Sequence, residues 1–244
     1  MTLNDYDKKR YNRQIRIRGF GDVGQQKLKD STIFVAGAGG LGSPVAMYLA
    51  VAGIGHIVLV DMDIVDFSNL NRQILHWDEN VGQYKVESGA SKLKSLNPTI
   101  KITPLQVKID EGNVLVLTKG SDLIIDAMDN YEARYLLNRA AIAHNIPFIH
   151  ASVWGLEGQL TTILPGKTPC LECLVPESPP REFSPVLGAT PGVIGTLQVT
   201  EAIKYLTGVG KLLTNRMLIY DGEYLEFHEV PVQRNPTCPA CSHL

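Results

Sequence analysis

Residues 37–42 carry the feature that most constrains this chain, the glycine-rich motif G-A-G-G-L-G. The motif follows a short apolar run at residues 32–36 and precedes a helical pattern over 43–52. A second apolar run follows at residues 56–60. Strand, glycine turn, helix and strand within roughly thirty residues form a βαβ unit, which requires a parallel sheet.

The alternation of strands and helices continues beyond this unit. Further strands are predicted at 101–105, 123–126 and 147–152, with helices at 82–96, 110–118 and 131–145. This pattern predicts an α/β fold with a doubly wound, mostly parallel, Rossmann-like sheet. After residue 152 the pattern turns β-rich, with strands at 157–164, 217–220 and 224–230, a helix at 193–206 and a turn-rich segment at 165–173.

The predicted organisation has three parts within one overall domain. An N-terminal segment (1–30) holds two short helices broken at Gly19 and Gly21, and a nucleotide-binding half covers 31–153. The part from 154 to 244 elaborates the sheet. Residues 176–191 contain five prolines and little periodicity, which indicates a long loop.

Composition excludes several classes of partner. The 244 residues carry a net charge of −2, so no basic surface favours nucleic acid or an anionic membrane. No apolar run approaches the roughly 20 residues that span a bilayer, and residues 1–9 are too polar for a signal peptide. The expected location is the cytoplasm.

The glycine motif indicates a nucleotide site. Small residues at Gly37, Gly39, Gly40 and Gly42 let the backbone approach a phosphate at a helix N-terminus. Asp61 ends the second strand, 19 residues after Gly42, where it can accept hydrogen bonds from ribose hydroxyls. One alternative is that the glycines serve only a tight turn. The motif alone would favour NAD.

The four cysteines form two C-x-x-C pairs, Cys170/Cys173 and Cys238/Cys241, separated by 64 residues. Four thiolates at this spacing predict a closed, tetrahedral, structural Zn²⁺ site that staples the C-terminus onto the second half. Redox C-x-x-C motifs or disulfides are the alternatives.

Several motifs beyond Asp61 carry a family resemblance. They are D-M-D-I-V-D-F-S-N-L-N-R-Q at 61–73, V-G-Q-Y-K-V at 81–86, Y-N-R-Q at 11–14 and D-A-M-D-N at 126–130. Together they resemble the MoeB/ThiF/HesA family, relatives of the ubiquitin-activating enzymes. The resemblance spans about residues 11–241. It implies ATP-dependent adenylation of the C-terminal glycine of a ubiquitin-fold sulfur-carrier protein similar to MoaD or ThiS, ending in Gly-Gly. That carrier would serve molybdopterin, thiazole, tRNA-thiolation or another sulfur pathway.

The resemblance also implies roles for individual residues. Catalysis would rest on Arg72, Lys85 and Asp129, with Arg13 reaching into the neighbouring subunit of a homodimer. Asp129 would hold Mg²⁺ near the α-phosphate, supported by Asn130. The nucleotide would contact Gly37, Gly39, Gly40, Gly42, Asp61, Asp63, Ser68, Asn69, Arg72, Gln73, Lys85, Asp129 and Asn130.

The chemistry agrees with these residue types. A carboxylate attacks the α-phosphorus and pyrophosphate leaves, so the site must bring anions together and neutralise charge, as Arg72 and Lys85 can do. Asp129 is a suitable magnesium ligand. Taken singly, Arg72 and Lys85 could be solvated surface charges, Asp129 a helix cap and Arg13 an ordinary helix-surface residue.

The proline-rich loop departs from a common family pattern. Many relatives carry a cysteine there for thioester or acyl-disulfide chemistry, but this loop has none, and Arg181, Ser184 and Thr190 occupy the neighbourhood. We therefore expect the reaction to stop at the acyl-adenylate. The loop either guides the carrier's tail or is a plain surface loop.

Three other hypotheses remain open from the sequence. One is adenylation of a tRNA base, a peptide or a small-molecule carboxylate. The second is an NAD-dependent oxidoreductase, which would leave Arg72, Lys85 and Asp129 unexplained. The third is a non-catalytic scaffold, against which the same three residues argue.

Overall fold

The computed structural model describes residues 2–179 and 185–244, so Arg181 and Ser184 of the proline-rich loop lie outside the described residues. Eight strands form one sheet. They are β1 (Thr32–Ala36), β2 (His56–Val60), β3 (Lys101–Leu105), β4 (Leu123–Asp126), β5 (Phe148–Trp154), β6 (Glu157–Ile163), β7 (Arg216–Asp221) and β8 (Glu226–Pro231).

The described helices alternate with these strands. They are α1 (Asp5–Arg10), α2 (Asn12–Ile15), α3 (Gly21–Asp30), α4 (Gly42–Ala52), α5 (Lys85–Leu96), α6 (Val114–Thr118), α7 (Tyr131–His144), α8 (Leu171–Leu174) and α9 (Ala189–Thr207). Short 3₁₀ turns cover Phe67–Asn69 and Asp78–Asn80.

The strand order is β3-β2-β1-β4-β5-β6-β7-β8. The first five strands in this order pair in parallel, and β6, β7 and β8 add on by antiparallel pairing. The order reverses at β1, whose neighbours are β2 and β4. Open α/β sheets bind ligands at such a reversal, at the carboxyl ends of the strands. The predicted fold class is confirmed.

Two hydrophobic clusters hold helices against the two faces of the sheet. Leu28 of α3, Leu49 of α4, Leu93 of α5 and Val199 of α9 belong to one cluster. Residues of α6, α7 and α8 belong to the other, together with three of the cysteines. Strand β1 is buried on both faces, which explains its unbroken apolar sequence. Among the described residues, none of the helices is both long enough and apolar enough to cross a bilayer.

Several predicted boundaries were wrong. The N-terminal segment holds three helices rather than two, because the chain turns at Tyr11 and separates α1 from α2; the predicted break at Gly19 and Gly21 precedes α3. Helix α9 begins at Ala189, four residues before the predicted start at Val193. Pro191 lies in its first turn, where no N–H is needed for a helical hydrogen bond. The predicted turn-rich segment leads into α8, and Tyr224 lies in the turn before β8.

Candidate functional site

The glycine loop, residues 37–42, connects β1 to α4. At Gly37 and Gly42 it has no room for a side chain. Gly37 has φ +100°, and a Cβ there would lie 2.5 Å from the carbonyl oxygen of Ala127. A Cβ on Gly42 would lie 1.9 Å from the Gly37 carbonyl oxygen. Gly39 and Gly40 are partly exposed, so the loop offers backbone rather than side chain to a ligand.

Asp61 connects this loop to the end of β2 by hydrogen bonds. Its Oδ2 accepts from the Ala38 amide at 2.8 Å, and its Oδ1 accepts from the Asp63 amide at 2.8 Å. Burial raises the pKa of Asp61, while the Lys85 ammonium acts in the opposite direction. Each carboxylate oxygen has a second lone pair, so Asp61 can still accept from a ribose hydroxyl.

Lys85 opens α5 and reaches back to the same strand end. The residue is buried, and its Nζ donates to Asp63 Oδ2 at 2.9 Å. This pair is half open to solvent because the Asp63 side chain is 56% exposed. The structure thus brings Asp61, Asp63 and Lys85 together, and Lys85 is not a solvated surface charge.

The segment after Asp63 is folded by its own side chains. Asp66 Oδ1 accepts from the Ser68 amide at 2.8 Å, and Asn69 Oδ1 accepts from the Asp66 amide at 3.1 Å. Arg72 Nη1 donates to the Ser68 carbonyl at 2.9 Å. Ser68 and Asn69 therefore shape the turn that holds the Arg72 guanidinium.

This segment packs against the glycine loop. A Cβ on Gly40 would lie 3.6 Å from Arg72 Cγ, and one on Gly39 would lie 3.6 Å from Gln73 Nε2. Gln73 is buried, and its Oε1 has no hydrogen-bond partner among the described residues. Buried polar atoms are normally paired, so this oxygen is available to a ligand or an ordered water.

Asp129 and Asn130 follow β4, on the other side of β1. The helix-capping role that the sequence allowed for Asp129 belongs to Asn130, whose Oδ1 accepts from the Ala133 amide at 2.9 Å. Asn130 Nδ2 also donates to Asp129 Oδ1 at 3.2 Å. Asp129 is exposed, which leaves its second carboxylate oxygen open.

A buried group beneath Asp129 was not predicted from the sequence, although Asp126 begins the D-A-M-D-N motif. Asp126 Oδ1 accepts from the Met128 amide at 3.0 Å, and Asp126 Oδ2 lies 2.7 Å from His150 Nδ1. Arg134 Nη2 donates to the Met128 carbonyl at 2.6 Å. Burial lowers the pKa of His150, which favours the neutral imidazole. Together these residues fix the turn from which Asp129 projects.

Arg13 lies far from these residues within its own chain. It is exposed on α2 and forms no side-chain hydrogen bond or ion pair with the rest of the described chain. Its neighbour Gln14 donates to the carbonyl of Ala52, the last residue of α4, at 2.8 Å. The glycine loop lies at the opposite end of this 11-residue helix, about 16 Å away.

The four cysteines converge near the C-terminus. Sγ–Sγ distances are 3.8 Å for Cys170–Cys173, 3.6 Å for Cys170–Cys238 and 3.4 Å for Cys173–Cys241. All four sulfurs lie within 4.8 Å of one another. A tetrahedron with Zn–S bonds near 2.3 Å has edges of about 3.8 Å, whereas a disulfide needs about 2.05 Å. The donor set therefore fits zinc and excludes disulfides.

Comparisons with known proteins agree with this arrangement. The chain matches the ThiF family over residues 11–240. The sulfur carrier protein adenylyltransferase of Thermus thermophilus is 39% identical, over 95% of this chain and 90% of that protein. The molybdopterin-synthase adenylyltransferase of Escherichia coli is 41% identical, over 98% of each chain.

A solved structure shares the fold at lower sequence identity. The crystal structure of E. coli MccB with ATP has a TM-score of 0.84 and 23% identity, covering 98% of this chain and 74% of that chain. The chain therefore belongs to the ThiF family, and its relatives in that family identify it as an adenylyltransferase.

Proposed function

We propose that this adenylyltransferase uses ATP to activate the C-terminal glycine of a ubiquitin-fold sulfur-carrier protein. The observation that carries the proposal is the meeting of the glycine loop, Arg72 and the Asp63–Lys85 pair at the carboxyl ends of β1 and β2. The names of the T. thermophilus and E. coli relatives support the carrier as substrate. In this proposal, residues 154–244 form the carrier-binding half.

The reaction joins the carrier to AMP. A carboxylate oxygen of the terminal glycine attacks the α-phosphorus, the bond to the bridging oxygen of the β-phosphate breaks, and pyrophosphate leaves with that electron pair. In this proposal Arg72, which lies beside Gly40, and Lys85, which is paired with Asp63, neutralise the charge of the triphosphate. Both act by charge and position, without a covalent step.

Lys85 is held ready for this task by Asp63. The ion pair holds the buried ammonium at the strand ends before nucleotide binds. When the triphosphate arrives, its oxygens can share the ammonium with the half-exposed Asp63 carboxylate. Ser68 and Asn69 act indirectly, by shaping the turn that holds Arg72.

Asp129 is the proposed ligand for Mg²⁺. It is exposed at the end of β4, and Asn130 orients it through one oxygen while the other remains open. Bound Mg²⁺ would reduce the charge on the phosphates, and oxygen ligands such as a carboxylate suit this ion. The turn itself is held by Asp126 and Arg134.

Arg13 acts in a homodimer in this proposal. It lies at the opposite end of α4 from its own glycine loop, so it would contribute to the site of a second copy. An Arg13→Ala chain mixed with an Arg72→Ala chain should then recover activity, because a mixed dimer retains one site with both arginines. Failure of mixing to restore any activity would exclude the exchange.

The Cys170–Cys173–Cys238–Cys241 cluster would hold a structural Zn²⁺. With four thiolates the site is closed, so the metal would tie the chain after β8 to the chain after β6 rather than take part in the reaction. All the cysteines of this chain are in that cluster, and none falls in 176–191. We therefore propose that the reaction ends at the acyl-adenylate and that sulfur arrives from another protein.

Carrier-dependent exchange of labelled pyrophosphate into ATP tests the proposal, with a panel of ubiquitin-fold proteins ending in Gly-Gly. Exchange should require a carrier, vanish when the terminal glycine is deleted, and fall about 100-fold or more in Arg72→Ala. Lys119→Ala, at an exposed lysine after α6, serves as the control and should exchange normally. ATP binding without exchange for any carrier would reject the carrier and favour a tRNA base, a peptide or a small-molecule carboxylate.

A further inference from the structure

His76 lies between three segments of the nucleotide site. It is 3% exposed, and its amide donates to the Gln73 carbonyl at 2.9 Å, directly after the segment that carries Arg72. Its ring contacts Ala38 in the glycine loop and Ser88 on α5, the helix that opens with Lys85. None of the reaction steps proposed above uses this buried histidine.

The hydrogen bonds define which ring nitrogen carries the proton. Nε2 lies 2.9 Å from the Ala38 carbonyl oxygen, which can only accept, so Nε2 donates. Burial lowers the pKa of His76 to about 4, so the ring is neutral and Nδ1 is an acceptor. Nδ1 lies 3.0 Å from Ser88 Oγ, whose hydroxyl must then donate to it. Lys92 Nζ donates to the same hydroxyl oxygen at 3.0 Å.

The contact with Ala38 determines where the next amide points. In a planar trans peptide the C=O of one residue and the N–H of the next point in opposite directions. The Ala38 carbonyl points inward to His76, so the Gly39 N–H points to the opposite, partly exposed side of the loop. Asp61 holds the preceding peptide through the Ala38 amide. The two contacts together fix the orientation of the loop at its first exposed donor.

We propose that His76, as the Nε2–H tautomer fixed by Ser88, is a positioning residue that aims the Gly39 amide at a phosphate oxygen of the nucleotide. The inference rests on the proposed function, because it requires ATP to occupy the glycine loop. It links the elements of the site: α5 supplies Lys85 in its first turn and, three residues later, the hydroxyl that sets the tautomer. A ligand that binds the Gly39 amide is therefore connected, through Ala38, His76 and Ser88, to the helix that carries Lys85.

The test compares four variants for ATP affinity by calorimetry without carrier. His76→Leu removes the donor to Ala38 and should weaken ATP binding about 10-fold or more, because a buried carbonyl loses its partner. His76→Gln places an amide donor near the position of Nε2 and should recover most of that loss. Ser88→Ala should weaken binding by a smaller factor. His144→Leu is the matched control, since His144 also contacts a backbone carbonyl, that of Leu115, away from the site.

Two NMR readouts separate positioning from a general structural role. In the wild type, ring ¹⁵N shifts should report the Nε2–H tautomer, and the Gly39 amide proton should move downfield when ATP is added. In His76→Leu the Gly39 shift should be lost, while His144→Leu should retain it. Both readouts are independent of turnover.

The outcomes distinguish this inference from the proposed function. A wild type that binds no ATP overturns both. A wild type that binds ATP but catalyses no carrier-dependent exchange overturns only the proposed reaction. Equal ATP affinity in wild type and His76→Leu, or an Nδ1–H tautomer in the wild type, overturns the inference. If His76→Leu does not fold, the tautomer, His76→Gln and Ser88→Ala decide it.

Discussion

His76 should make the stability of this protein depend on pH in a window that can be calculated. Its imidazole is buried, and burial together with the nearby charges of Lys92 and Lys85 lowers its pKa from 6.5 to about 4. Because the folded pKa lies below the unfolded one, the unfolded chain takes up the proton first as the solution is acidified. The contribution of neutral His76 is therefore fully present above pH 6.5 and is lost as the pH falls towards 4.

The size of the effect follows from these two pKa values. At pH 7 protonation of His76 in the unfolded chain costs the fold only about 0.2 kcal/mol. At pH 5 the unfolded chain is almost fully protonated at this position and the folded chain is not, which corresponds to about 2 kcal/mol. Against the stability of an ordinary domain, about 5–15 kcal/mol, this loss is readily measured.

His76→Gln removes this dependence and still provides a side-chain N–H donor, the glutamine amide, for the Ala38 carbonyl. We expect urea unfolding to show that the wild type loses about 2 kcal/mol of stability relative to His76→Gln between pH 7 and pH 5. His150 is present in both proteins, so its own contribution cancels. Lys119→Ala, which changes no imidazole, should keep the wild-type dependence. If the stability curves of wild type and His76→Gln run parallel over this range, His76 is not buried in its neutral form and the calculation is wrong.

Four further substitutions test the packing, the metal and the unpaired acceptor of Gln73. Gly42→Ala should destabilise the fold by roughly 3 kcal/mol in urea unfolding, because its Cβ would meet the Gly37 carbonyl oxygen at 1.9 Å. Gly192→Ala, where no atom lies within 4 Å, should instead be neutral or stabilising by up to about 1 kcal/mol. Cys238→Ser should reduce zinc from one ion per chain to none by elemental analysis and lower the melting temperature; one ion retained would exclude the four-thiolate site. Gln73→Met should raise the stability of the free protein by about 1 kcal/mol while weakening ATP binding, because it removes a buried oxygen that has no partner; unchanged ATP affinity in calorimetry would show that this oxygen does not meet the ligand.

The sheet could be predicted because its signals are local. Strands β1 and β2 are apolar runs bounded by glycine and aspartate, and both appeared within a residue of their predicted positions. The start of α9 could not be predicted in the same way. Pro191 indicates a loop when judged by its neighbours, but a proline is tolerated in the first turn of a helix. The packing of α9 on α4 determines whether Pro191 lies in a loop or in a helix, and the loop sequence alone does not reveal that packing.

The sequence could indicate residues of the candidate site where they belong to one nearly contiguous motif. The glycine loop, Asp61 and Arg72 lie within 36 residues of one another, and Lys85 follows closely. His76 lies inside the same stretch, yet nothing in its neighbours distinguishes it from an ordinary core histidine. Its role depends on the direction of one carbonyl, and only the folded chain defines that direction.

The buried polar atoms without partners explain why this site cannot be understood from stability alone. Among the described residues these atoms are Ser43 Oγ, Gln73 Oε1, His150 Nε2 and Gln198 Oε1. Each lies on a segment that builds the candidate site or supports it: the start of α4, the turn after Arg72, β5, and the helix α9 that packs on both α4 and β5. A fold selected only for stability would pair such atoms or replace them, since each one left unpaired costs about 1–3 kcal/mol. These atoms lie on elements around the carboxyl ends of β1 and β4, where a ligand or an ordered water can pair with them. For a reaction catalysed by position and charge, polar groups that the fold already holds in place contribute directly to the rate.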